Sequence, residues 1–93
     1  MFMNREDIRQ AAVDAAGGDE LVFADGYDYA IIGVSYVRGV AVVVYSEELV
    51  IRALVTRDGM SLDEAREYFD FNVAGAHVGD QTPVFVRGWD HGQ

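Results

Sequence analysis

The sequence has no cysteine, no lysine and a single proline in 93 residues, and only two histidines. Without thiols, disulfides, thiolate metal sites and cysteine nucleophiles are excluded. His77 and His91 lack the HExxH spacing and any cysteine companions, so they make no zinc site of the usual kind. No apolar run approaches the ~20 residues of a membrane span. The opening stretch MFMNREDIRQ carries charges where a signal peptide needs its apolar segment, which predicts a cytoplasmic protein that does not engage membranes.

All seven cations are arginines, set against sixteen Asp and Glu, for a net charge of −9. The exclusive use of Arg beside abundant Ala, Val, Gly and Asp points to a GC-rich coding sequence. Such an acidic chain is repelled by phosphate backbones, so direct nucleic-acid binding through a basic surface is not expected. The charge is uneven, with the excess acids in residues 1–28 and 61–93 and a balanced middle. Half the residues are apolar, which suits a globular domain with one core. No linker or repeat divides the chain, so residues 1–93 read as one domain, with 88–93 as a flexible tail.

What the sequence does have is a hairpin. AIIGVSYVRGVAVVVY, residues 30–45, sets two runs rich in β-branched and aromatic residues around Arg38-Gly39, and Gly at the second turn position supplies the positive φ of a two-residue hairpin loop. The register follows, with Val37 opposite Val40, Ser35 opposite Val42 and Gly33 opposite Val44. One face collects Ile31, Gly33, Ser35, Val37, Val40, Val42 and Val44, and the other Ile32, Val34, Tyr36, Ala41, Val43 and Tyr45. Both faces are apolar, so both need cover, from helices, strands or a second subunit.

Three helices are predicted around it. Asn4 caps the first, with Met3 and Ile8 placed as a hydrophobic staple and Gly17-Gly18 as its stop. Ser46 caps the second, which runs to about Thr56, buries Leu49, Val50, Ala53 and Leu54, and stops at Arg57-Asp58-Gly59. Ser61-Leu-Asp-Glu64 is a capping box for the third, whose stripe is Leu62, Ala65, Phe69, Val73 and Ala76, with Gly75 as its stop. Val84–Val86 reads as a last strand entered by Pro83, and residues 20–24 as a short strand before the hairpin. The expected fold is α+β, a small hairpin-centred sheet covered by about three helices in the order α-β-β-β-α-α-β. Because both hairpin faces are apolar and the first helix is thin, a homo-oligomer is expected, a dimer first.

Two loops and one helix face are candidates for function. The loop from Gly75 to Pro83 offers Gly79 for close backbone approach and His77, Gln81 and Thr82 for hydrogen bonding. It follows a helix C-terminus and has no Lys after its glycines, so it is not a phosphate loop. The competing reading is a structural helix-to-strand connection. Asp25-Gly26-Tyr27-Asp28-Tyr29 sets two carboxylates beside two tyrosines. With no EF-hand spacing it reads either as a self-capped turn or as part of a ligand pocket in which Tyr27, Asp28 and Tyr29 take part, Tyr27, Tyr29 and Trp89 being able to stack on a base. Asp63, Glu67 and Asp70 share a helical face, either solvated or an acidic patch for a basic partner, with Arg66 able to pair with Asp63 or Asp70. Asn72 reads as a half-buried group pinning the following loop. No nucleophile-elbow motif is present, and no metal or organic cofactor is expected.

The segments DGYDYAIIG (25–33), VVYS (43–46), DGMSLDEAREYF (58–69) and NVAGAHVGDQTPVF (72–85) together resemble a family of small uncharacterised proteins met in bacteriophage and prophage genomes. They span about two thirds of the chain, and His77 stands where the family pattern carries an aromatic residue. The resemblance implies a phage or prophage origin. With it, the expected function is a non-enzymatic accessory protein that binds a host protein or a small molecule, with a counter-defence role in view. The alternative is an acidic decoy occupying the nucleic-acid site of a host enzyme, and a third reading, a metal-dependent nucleotide hydrolase, would betray itself by sensitivity to a chelator.

Overall fold

A computed structural model describes residues 4–75 and 79–88. The architecture is α+β, with α1 (Arg5–Ala15), a 3-10 turn (Asp28–Ala30), β1 (Ile31–Val37), β2 (Val40–Ser46), α2 (Glu47–Thr56), α3 (Leu62–Tyr68), a π-turn (Phe69–Val73) and β3 (Val84–Val86). The sheet order is β1-β2-β3, so the hairpin's second strand is central. β1 and β2 are antiparallel, whereas β3 runs parallel to β2, with Val44, Tyr45 and Ser46 facing Val84, Phe85 and Val86.

Helix starts form where side chains supply the missing acceptors. Asn4 Oδ1 accepts from the Asp7 amide, and Ser46 Oγ accepts from the Leu49 amide. Ser61 and Glu64 complete a reciprocal capping box, at 3.1 and 2.9 Å. The Met3–Ile8 staple lies outside the described residues. α2 follows β2 with no intervening loop, which lays its Val50, Ala53 and Leu54 against the sheet beside Ala65, Phe69 and Val73 from α3 and its π extension. Val43, Tyr45, Val50, Leu54, Ala65 and Phe69 are the heart of one core. Tyr45 stacks on Phe85 at 5.2 Å and Phe69 meets Phe85 edge to face at 5.3 Å, so one aromatic from β3 ties the sheet to the helical layer.

The structure departs from the sequence expectations in four places. Residues 20–24 form no strand. Two of their main-chain groups are met by side chains, the Ala24 amide by Tyr45 Oη at 2.7 Å and the Glu20 carbonyl by Gln81, while Leu21 and Phe23 pack on the core. A bulge at Ile32 pairs Ile31 with Tyr45 rather than with Ser46, which moves Ile31 onto the Tyr45 face and leaves Ile32 57% exposed. The third helix does not run on as α: it widens into the π-turn, and a Cβ at Gly75 would stand 3.2 Å from the Asp70 carbonyl oxygen and 3.3 Å from that of Phe71. Lastly, the two apolar faces are covered along β2 but not along β1. Ala41, Val42, Val43 and Tyr45 are buried, whereas Tyr36 and Val37 remain exposed.

Candidate functional site

The turn before β1 is clamped from two sides. Arg9 Nε donates to Asp28 Oδ2 at 2.7 Å and Arg5 Nε to the same oxygen at 2.9 Å, which fastens α1 to the 3-10 turn. The Asp28 carboxylate is buried, and its Oδ1 has no hydrogen-bond partner among the described residues. Arg9 also lies 3.5 Å from Asp25 and stacks over the Phe23 ring at 4.5 Å. From the other side, Arg57 at the end of α2 donates to the Gly26 carbonyl at 2.9 Å and reaches over the Tyr27 ring. Partial desolvation raises the Tyr27 and Tyr29 hydroxyls above their ordinary range although the Tyr29 side chain is exposed, so both are protonated at neutral pH and suited to donating a hydrogen bond or stacking. Of the three residues predicted there, Asp28 is buried and engaged by two arginines, Tyr27 is half-buried against the core and Tyr29 is exposed.

The loop before β3 is described from Gly79 onward, and His77 lies outside the described residues, as do Trp89 and His91. Thr82 folds its hydroxyl back onto the Gly79 carbonyl at 2.6 Å, and Gly79 has φ +102°. Gln81 donates to the Glu20 carbonyl, so this loop is tied to the segment after α1.

A wider groove lies where α2, α3 and the end of β3 meet, with a volume of about 1000 Å³. α2 contributes Glu47, Glu48, Ile51, Arg52, Val55 and Thr56, and α3 with its extension contributes Leu62, Arg66 and Asp70, four residues apart. Arg87 and Gly88 close one end. Ile51, Val55 and the 49% exposed Leu62 form apolar walls, with arginines and carboxylates around them. Arg87 grips Glu47 through two nitrogens, at 2.7 and 3.3 Å, while Arg66 is in no ion pair among the described residues.

The predicted acidic face is divided by this geometry. Asp70 lines the groove with Arg66. Glu67 lines a separate shallow depression of about 290 Å³ with Met60, Glu64, Tyr68, Phe71 and Asn72. Asp63 is exposed beside neither set of walls, and Asn72 is exposed rather than half-buried. Leu62, expected on the third helix's core stripe, is half exposed and turns into the groove instead, and Ile51, Val55, Arg52, Arg66 and Arg87 escape a reading by core stripe alone. A signal was present in α2, where Ile51 and Val55 widen the apolar arc beyond what Val50, Ala53 and Leu54 need to reach one core. Among the described residues no group of three or more His, Asp and Glu is arranged to hold a metal ion, and no helix is long and apolar enough to cross a membrane.

No protein-family model matches the chain, and comparison with curated proteins and with solved structures returns no match.

Proposed function

We propose that the chain is a non-enzymatic binding protein of the phage-accessory kind, cytoplasmic in its host, that engages a host protein through the groove between α2 and α3. The observation that carries this reading is the composition of that groove: Ile51, Val55 and Leu62 give apolar walls, and arginines and carboxylates, charges of opposite sign, surround them. An apolar centre inside a polar rim is the anatomy of a protein-recognition patch. Arg66, which lines the groove and is in no ion pair among the described residues, is available to a carboxylate on the partner. A small ligand held by Tyr27, Tyr29, Gln81 and Thr82 is less well supported, because Arg9, Arg57 and Glu20 already engage that region.

The acidic-decoy alternative needs one continuous run of carboxylates. Asp70 and Glu67 line different depressions, and Arg52, Arg66 and Arg87 interrupt the charge on the groove side, so the apolar-groove reading is preferred.

Native mass spectrometry of the protein purified gently from bacterial cytosol, followed by affinity capture with groove variants, tests the proposal. A partner retained by the unmodified chain and lost on Leu62→Asp and Arg66→Glu is the expected result. Capture that both variants leave intact, or chelator-sensitive nucleotide hydrolysis by the pure protein, would overturn it.

A further inference from the structure

β1 is an edge strand of seven residues with no charge and no proline. Because Val37 and Val40 flank a two-residue turn, they exchange both ladder hydrogen bonds, and so do the pairs Ser35–Val42 and Gly33–Val44. The intervening residues, Val34 and Tyr36, therefore turn their N–H and C=O groups away from β2. Among the described residues, nothing outside the hairpin ladder bonds to these main-chain groups. α1 lies beside this strand, and the Tyr36 hydroxyl donates to the carbonyl of Ala16, the residue that follows the helix. That is a contact on the sheet face, since side chains stand perpendicular to the sheet.

Soluble proteins guard such edges with Lys, Pro, inward charges, brevity or bulges. β1 has only the bulge at Ile32, which protects its first turn of pleat and leaves Gly33–Val37 regular. The opposite edge is guarded: β3 has three residues, Pro83 precedes it and Arg87 follows it. Exposed Ile32, Tyr36 and Val37 add apolar surface beside the open edge.

We infer that β1 pairs antiparallel with β1 of a second copy of this chain, forming a closed dimer with a continuous six-stranded sheet. Three features single out a second copy. An antiparallel strand pair is its own complement about a twofold axis. Residues 29–46 contain one charge, Arg38, so pairing along β1 sets no acid of the strand against another when two chains of net charge −9 meet. Pairing also closes after one step, since it consumes both long edges and leaves only the guarded β3 edges outside. The register that uses all four outward-facing residues places Val34 of each copy opposite Tyr36 of the other, with Ser35 facing Ser35 on the axis. Both α2–α3 grooves stay open, because Arg87 and Gly88 place them at the β3 side of the sheet. The inference thus stands apart from the groove's function.

Sedimentation velocity at micromolar concentration is expected to give twice the 10.3 kDa chain mass. Ser35 is exposed, so S35K and S35E should each fold, as read by circular dichroism, and weaken the dimer at least about tenfold, since each sets like charges directly opposite one another. Mixing S35K with S35E should restore a dimer containing one of each. Because the chain has no cysteine, S35C introduces a single thiol, and a mild oxidant should link two copies far faster than it links copies carrying T56C on α2. A monomeric wild type, a dimer indifferent to both charge variants, or S35C linking no faster than T56C would each overturn the inference.

Discussion

Arg9 Nε sits 2.7 Å from Asp28 Oδ2, on a carboxylate only 5% exposed, and with Arg5 on the same oxygen it joins the otherwise thin α1 to the entrance of β1. The helix has few apolar anchors, with Ala12 its only buried residue. The ion pair therefore takes over a positioning role that a larger hydrophobic stripe would normally perform.

Arg9→Ala should lower stability by about 2–3 kcal/mol, because it strips the better-shielded partner from a buried charge. Arg5→Ala should cost under about 1 kcal/mol, since Arg5 is 66% exposed and leaves Arg9 in place. Urea unfolding of the two variants checks this, and equal losses would mean that the two arginines are interchangeable.

Tyr45→Phe should preserve the ring stack on Phe85 yet cost about 1–2 kcal/mol by removing the acceptor of the Ala24 amide. Burial holds the Tyr45 hydroxyl above its ordinary value of 10.0. The folded state therefore keeps its proton more tightly than the unfolded chain, so stability is intact below pH 10 and falls as pH rises beyond it. Tyr45→Phe should shrink that alkaline loss without abolishing it, because Tyr27 and Tyr29 are shifted in the same direction. Unfolding curves between pH 8 and pH 11, at about half-unit steps, would show the difference.

At the acid end, the Ser61 amide and hydroxyl hold the Glu64 carboxyl below the ordinary carboxylate range. A depressed folded value means the capping contribution is present above the unfolded value of about 4.3 and is lost as pH falls through the folded one. Ser61→Ala should cost about 1 kcal/mol at neutral pH. Glu64→Gln should flatten the acid dependence of α3, read by hydrogen exchange at Ala65 and the amides after it.

Leu62→Asp should leave stability within about 0.5 kcal/mol of the unmodified chain, because the side chain is half exposed and opens a helix whose first turn favours acids. Leu54→Ala, fully buried one helix away, should cost about 2–5 kcal/mol. Loss of partner capture by the first variant with its fold intact is the expected outcome; loss that tracks stability in both would reassign the effect to folding.

Gly39→Ala should destabilise the hairpin by about 1–2 kcal/mol, since Arg38 and Gly39 both stand at positive φ, +53° and +80°. Thermal unfolding would measure it, and an unchanged midpoint would show that the turn tolerates a side chain there.

The features legible in the sequence are those made by neighbours. Asn4, Ser46 and the Ser61–Glu64 pair cap helices because a side chain three residues away is always within reach, whatever the rest of the chain does. The register from Val37↔Val40 to Gly33↔Val44 follows from a two-residue loop by counting outward. The end of α2 before Arg57-Asp58-Gly59 is equally local.

Contacts across long stretches of chain are another matter. The parallel pairing of Tyr45 with Phe85 and the slip that moves Ile31 onto the Tyr45 face depend on how distant segments compete for one core. The burial of Asp28 under Arg5 and Arg9, and the groove that separates Asp70 from Glu67, do so too. Nothing in the residues 20–24 themselves says that a tyrosine hydroxyl from β2 will satisfy Ala24 and spare it a ladder. By itself the sequence determined the helix starts, the hairpin turn and a core built from the middle of the chain, because these rest on fixed backbone geometry and on apolar periodicity. Only the tertiary structure decided which strand became the edge, which charges were buried and which apolar side chains were left over, because those outcomes depend on the packing of all the elements at once.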